Sequence, residues 1–154
     1  MPDVLTRNNP VPATPYLTDG VTISLAPPMA RYSLRARQRQ ALETLLGVKM
    51  PERIGATEGG IACLGPYEWL MRAAAGTSIP QGGGLAIAVT DVSERSVCLI
   101  VQGPEAAQIL MSGCPLDLDR FAVGRATRTI YEAAEIILIR ESQDCFHVEI
   151  WRSF

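Results

Sequence analysis

Six of the chain's eleven prolines, Pro2, Pro10, Pro12, Pro15, Pro27 and Pro28, fall within its first 30 residues. Each removes a backbone donor and fixes φ, so this stretch cannot assemble a core of its own. Only residues 21–25, Val-Thr-Ile-Ser-Leu, read as β. The segment carries just three charges, Asp3, Arg7 and Asp19, which favours lying along a surface over extending as a solvated tail. Residues 1–30 are therefore expected to form a proline-rich N-terminal arm. Residues 31–154 are expected to form a single domain, a length sufficient for one hydrophobic core.

Composition narrows the class. Hydrophobic residues make up 47% of the chain and charged residues 19%, with a net charge of −2. That is too apolar for a disordered chain and too weakly charged for nucleic acid as the main partner. The longest uncharged run, 73–90, contains Gly76, Pro80 and Gly82-Gly83-Gly84, so no membrane span is expected. The polar, proline-bearing start lacks the features of a signal or transit peptide, which points to a cytoplasmic protein.

The order of elements points to an α+β domain. Residues 31–36 alternate, with Tyr32, Leu34 and Ala36 on one face and Arg31, Ser33 and Arg35 on the other. Residues 38–46 place Ala41, Leu42, Leu45 and Leu46 at helical spacing and stop at Gly47. Residues 61–72 read as a strand kinked at Gly65-Pro66. Residues 85–89 and 97–102 read as strands joined through turn residues 91–95. Gly103-Pro104 opens a helix closed by Gly113. Residues 128–132, 135–140 and 145–151 read as an antiparallel meander. The expected architecture is an antiparallel sheet with helices packed on one face.

Catalytic inventory is sparse. The one histidine, His147, shares a strand face with Glu149 and Trp151, opposite Phe146, Val148 and Ile150. An i, i+2 His-Glu pair is common in inert sheets, and no nucleophile stands nearby in sequence. Trp151 on that polar face reads as an interface anchor. Arg31, Arg35, Arg37 and Arg39 read as surface charge at a strand-helix junction rather than a binding patch. The glycines of 76–84 lack phosphate-loop spacing and the following lysine, so a flexible connection is expected. Cys63, Cys98, Cys114 and Cys145 are scattered and read as reduced, small apolar side chains. Asp91, Asp117, Asp119 and Glu105 suit turns and helix starts. No position is assigned a catalytic, cofactor-binding or metal-ligating role.

Several stretches carry a family resemblance. They include Arg31-Tyr-Ser-Leu-Arg35, Leu64-Gly-Pro-Tyr-Glu-Trp-Leu70, Asp91-Val-Ser-Glu-Arg95 and Val101-Gln-Gly-Pro-Glu-Ala106. Further along come Gly113-Cys-Pro-Leu-Asp-Leu118, Val123-Gly-Arg-Ala-Thr-Arg-Thr129, Ala134-Glu-Ile-Ile-Leu-Ile-Arg140 and Val148-Glu-Ile-Trp-Arg-Ser-Phe154. In this order they resemble the gamma subunit of heterotetrameric sarcosine oxidase, from about residue 31 onward. The resemblance implies the fold of the aminomethyltransferase folate-binding domain. It also implies a non-catalytic role in a complex that oxidatively demethylates sarcosine to glycine, hydrogen peroxide and a one-carbon unit, formaldehyde or methylenetetrahydrofolate.

Its implied partners are the alpha, beta and delta subunits. FAD, FMN, NAD, tetrahydrofolate and zinc are implied in those partners, with none bound by this chain. Relatives continue past Arg-Ser-Phe into a helical segment, so apolar surface around Trp151 and Phe154 is expected to favour a partner or self-association. The alternative is a stand-alone folate or one-carbon-binding module.

Overall fold

The computed structural model describes residues 9–154; Pro2 and the rest of 1–8 lie outside the described residues. The elements are β1 (Tyr16–Leu17), β2 (Thr22–Leu25), β3 (Met29–Ala36), α1 (Arg39–Leu46), β4 (Thr57–Glu58), β5 (Ile61–Gly65), β6 (Glu68–Ala74), β7 (Ile87–Asp91), β8 (Ser96–Gln102), α2 (Ala106–Met111), a 3-10 turn (Leu118–Arg120), β9 (Ala126–Tyr131), β10 (Ala134–Ser142) and β11 (Cys145–Trp151).

The α+β class and antiparallel pairing hold, but the strands divide into two sheets. One runs β1-β2-β8-β11-β10-β9, the other β4-β5-β6-β3-β7. Each sheet buries its outer face under one helix. Phe146, Val148, Leu138 and Ile136 pack with Ala106 and Leu110 of α2 on the first, and Tyr32, Leu34, Ile61 and Trp69 pack with Leu42 of α1 on the second. The inner faces meet through Ala62 and Leu64 of β5 and Ala126, Ile137 and Ile139 of β9 and β10. Period-2 alternation therefore sorts each strand between a helix-covered apolar layer and an inter-sheet layer.

Residues from the proline-rich segment take part in this plan. Ile23 pairs with Val101 and Leu25 with Leu99, so β2 extends the first sheet beside β8. Pro27-Pro28 then crosses to the second sheet, where β3 begins at Met29. The boundary expected at residue 30 thus falls inside a strand. Gly103 fits here because its φ of +132° suits glycine alone and its Cα faces the Gly20 carbonyl.

Other expectations change. Residues 61–72 are not a kinked strand: Cys63 pairs with Trp69 and Ala62 with Leu70, making β5 and β6 a hairpin turned at Pro66-Tyr67. β7 and β8 are not neighbours. Tyr32 of β3 pairs with Asp91, and residues 92–95 carry the chain across to the other sheet. Val92 N–H donates to the Arg31 carbonyl at 2.9 Å to hold that crossing. The meander β9-β10-β11 forms as expected. α1 ends at Gly47, with φ 68° and its N–H donating to the Glu43 carbonyl.

One buried arginine locks the segment after α2. Arg140 donates to the carbonyls of Leu118 and Phe121 at 2.9 and 2.6 Å, and to that of Gln143 at 2.6 Å. Its guanidinium also lies 5.0 Å from the centre of the Phe146 ring. Three carbonyl acceptors satisfy a charge that would otherwise be costly to bury.

Candidate functional site

The polar chemistry of the chain gathers between the two sheets. The face of β11 that carries His147, Glu149 and Trp151 is directed at the second sheet, and sequence alternation alone leaves it as a polar, outward face. Glu149 is 3% exposed. Its Oε2 accepts from Arg31 Nε at 2.6 Å, while its Oε1 is buried with no hydrogen-bond partner among the described residues. Burial pushes the Glu149 carboxyl up, against the pull of the Arg31 guanidinium. Arg31 is thus no surface charge: it is the inter-sheet counter-ion of β11.

His147 meets a different arginine. Arg72 of β6 places Nη1 2.8 Å from His147 Nδ1 and donates through Nη2 to Glu141 Oε1 at 2.6 Å. Arginine is an obligate donor, so Nδ1 accepts and the imidazole is the neutral tautomer protonated on Nε2. Glu141 Oε1 also lies 3.3 Å from Nδ1. Burial holds the His147 pKa down; Glu141 opposes and Arg72 adds to the shift. His147 and Glu149, neighbours on one strand face, are thus each engaged by a different arginine.

A third ionic group opens to solvent. Arg128 of β9 donates to Glu68 of β6 at 2.7 Å, and Arg35 of β3 lies 3.6 Å from the same carboxylate. The hydrogen bond from Arg128 is the main reason the Glu68 carboxyl titrates below its ordinary range. These residues line a cleft of about 260 Å³ between the sheets, together with Glu135, Glu149, Arg95 and Trp151. Trp151 is 42% exposed at its mouth, with the Arg95 guanidinium 5.1 Å from its ring centre and the Phe154 ring at 6.4 Å. β6 supplied no candidate at the level of sequence. Arg72 and Glu68 share its inner face with Leu70, a placement that needs the hairpin register to be recognised.

The remaining candidates separate. Arg39 of α1 bonds the Met50 carbonyl and Glu43, so the arginine cluster does not converge on one surface. Gly82, Gly83 and Gly84 adopt positive φ and lead into β7 rather than a helix. Cys63, Cys98 and Cys114 are buried and Cys145 half-buried, all as free thiols. Burial pushes the Cys63, Cys98 and Cys145 thiols up, away from reactive thiolate. Asp117 accepts from the N–H groups of Asp119 and Arg120 to cap the 3-10 turn, and Asp91 accepts from Ser93 N–H and Oγ. Among the described residues no group of three His, Cys, Asp or Glu is placed to hold a metal, and no helix is long and apolar enough to cross a membrane.

No protein-family model matches the chain. It is similar to the sarcosine oxidase subunit gamma of an Arthrobacter species, at 31% identity over 120 residues covering 70% of this chain and 59% of that protein. The corresponding subunit of Corynebacterium sp. (strain U-96) is 30% identical over 120 residues, covering 70% of this chain and 58% of the relative. The match therefore spans less than two thirds of these curated relatives. Among solved structures, a chain of the heterotetrameric sarcosine oxidase of Corynebacterium sp. U-96, in complex with pyrrole 2-carboxylate, superposes with a TM-score of 0.80. That match has 27% identity and covers 87% of this chain and 77% of the other. The glycine cleavage system aminomethyltransferase T of Bartonella henselae superposes with a TM-score of 0.65 at 16% identity, covering 87% of this chain and 43% of the other. At that identity the second likeness is one of fold.

Proposed function

We propose, from the chain's homology to sarcosine oxidase gamma subunits, that it is the assembling, non-catalytic gamma chain of a sarcosine oxidase complex. The observation that carries this reading is the superposition on a chain of a heterotetrameric sarcosine oxidase over 87% of the present chain. The chemistry of the inter-sheet layer supports a structural role. The ionisable side chains between the sheets pair with one another: Arg31 with Glu149, Arg72 with Glu141 and His147, Arg128 with Glu68. Groups paired in this way fix the register of two sheets and have little freedom to exchange protons with a substrate.

In this reading the complex is cytoplasmic. It converts sarcosine to glycine, hydrogen peroxide and a one-carbon unit, with alpha, beta and delta subunits as partners. FAD, FMN, NAD, tetrahydrofolate and zinc reside in those partners. The aminomethyltransferase likeness is one of fold and brings no folate site to this chain.

Co-expression with the three partner subunits of the same source, followed by size exclusion, tests the reading. The chain is expected to elute with the yellow flavoprotein fraction, and omitting it is expected to lower the yield of assembled oxidase. Elution of the chain apart from an intact, active oxidase would remove the proposal.

A further inference from the structure

We propose that the mouth of the inter-sheet cleft, formed by Trp151, Arg95 and Arg35, is the surface on which a partner subunit docks, and that the partner places there an apolar side chain next to a carboxylate. The inference rests on the assembling role proposed above and assigns that role to one surface.

Position is the first argument. On the inner face of β11, His147 and Glu149 are shielded between the sheets, whereas Trp151 is 42% exposed. An indole at the end of an otherwise covered face presents a large rigid surface and a single N–H donor, the chemistry most enriched where binding energy concentrates. Arg95 over the Trp151 ring and Phe154 beside it hold that indole in place before any partner arrives. Less conformational entropy is then lost on docking. Other exposed apolar residues, such as Leu17, Ile54 and Val123, have no comparable ring and cation arrangement.

Charge supplies the second argument. The cleft is lined by three guanidiniums, Arg35, Arg95 and Arg128. Glu149 is already matched by Arg31, which leaves Glu68 and Glu135 as their carboxylate counterparts. Arg35 reaches Glu68 only at 3.6 Å with a mostly exposed side chain. Among the described residues, Arg95 has its aromatic contact and no carboxylate within ion-pair distance. The mouth therefore carries unneutralised positive charge beside an apolar ring, and its complement is a carboxylate next to an apolar group.

The test measures affinity of the full chain for the complex of the other subunits, using wild type, Trp151→Ala, Arg95→Ala, Arg95→Glu and a remote control, Ile54→Ala. Circular dichroism and thermal melting establish that each variant is folded, which exposure of the altered side chains favours. Trp151→Ala is expected to weaken binding at least about thirtyfold. Arg95→Glu should weaken it more than Arg95→Ala does, with the gap closing at high salt, and Ile54→Ala should bind as wild type does. Folded Trp151→Ala binding within about twofold of wild type would overturn the surface assignment while leaving the assembling role intact. Unchanged or tighter binding by Arg95→Glu would overturn the carboxylate complement. An isolated wild-type dimer that Trp151→Ala converts to monomer would assign the mouth to a second copy and overturn the partner assignment. Failure of wild type to bind the other subunits would overturn the assembling role and this surface together.

Discussion

Arg31 on β3 donates through Nε to Glu149 on β11 at 2.6 Å, joining two sheets through side chains that are 4% and 2% exposed. Each group is the other's compensation for burial. Replacing Arg31 with Met leaves a buried carboxylate without its cation and is expected to cost about 3–5 kcal/mol. Arg31→Met with Glu149→Leu removes both charges and should recover most of that loss. Urea denaturation of the two single variants and the double variant measures the coupling. A double variant no better than Arg31→Met would show that the pair does not act as a unit.

A pH effect follows from His147. Its folded pKa is depressed below the ordinary 6.5 by burial, with Glu141 opposing and Arg72 reinforcing. Between the two values the unfolded chain binds the extra proton, so this contribution is complete above about pH 6.5 and is lost as pH falls toward the folded value. Glu68, lowered chiefly by its hydrogen bond from Arg128, adds a further loss below its ordinary 4.5. Glu149, raised by burial, runs the other way and gains stability as pH drops through its folded value. Thermal melting from pH 8 to pH 5 should therefore show a fall near pH 6 that His147→Asn removes, because the Asn Oδ1 still accepts from Arg72 and does not titrate.

Backbone fit gives a contrast between two glycines that face each other. Gly103 has φ +132°, and a Cβ there collides with the Gly20 carbonyl. Gly103→Ala is expected to destabilise by about 1–3 kcal/mol through backbone strain, before the clash is added. At Gly20 the three atoms nearest an added Cβ all belong to the exposed Glu105 side chain, whose flexible end is free to move aside, so Gly20→Ala should cost under about 1 kcal/mol. Equal losses in chemical denaturation would contradict the close approach of β2 to the start of α2.

The helix-covered core offers a simpler check. Phe146 is fully buried among Leu138, Leu110, Val101 and Leu118 and under the Arg140 guanidinium. Phe146→Ala is expected to cost about 3–5 kcal/mol. A loss below about 1 kcal/mol would indicate that α2 does not close over this sheet.

These contacts also show what was legible before the structure. Alternation in β11 correctly separates Phe146, Val148 and Ile150 from His147, Glu149 and Trp151, because a strand's period is a local property. The destination of the second face was not legible, because its partners Arg31 and Arg72 lie 118 and 75 residues from Glu149 and His147. A polar face buried by paired charges has the same sequence pattern as one facing water. Pro66 read as a kink for a similar reason: proline permits a bend or a turn, and only the Cys63-Trp69 pairing distinguishes them. Trp151 stands out in the sequence as an aromatic on a polar strand face, and the structure leaves it 42% exposed, whereas the cleft beside it depends on Glu68 and Arg128 from two different sheets.

An assembling subunit travels with its complex, which native mass spectrometry of the oxidase purified through a tag on one of the other subunits measures. One copy of this chain per assembled complex, retained with flavin and lost in step with oxidase mass on Trp151→Ala, is the predicted result. A complete, flavin-loaded oxidase whose mass leaves no place for this chain would contradict the account.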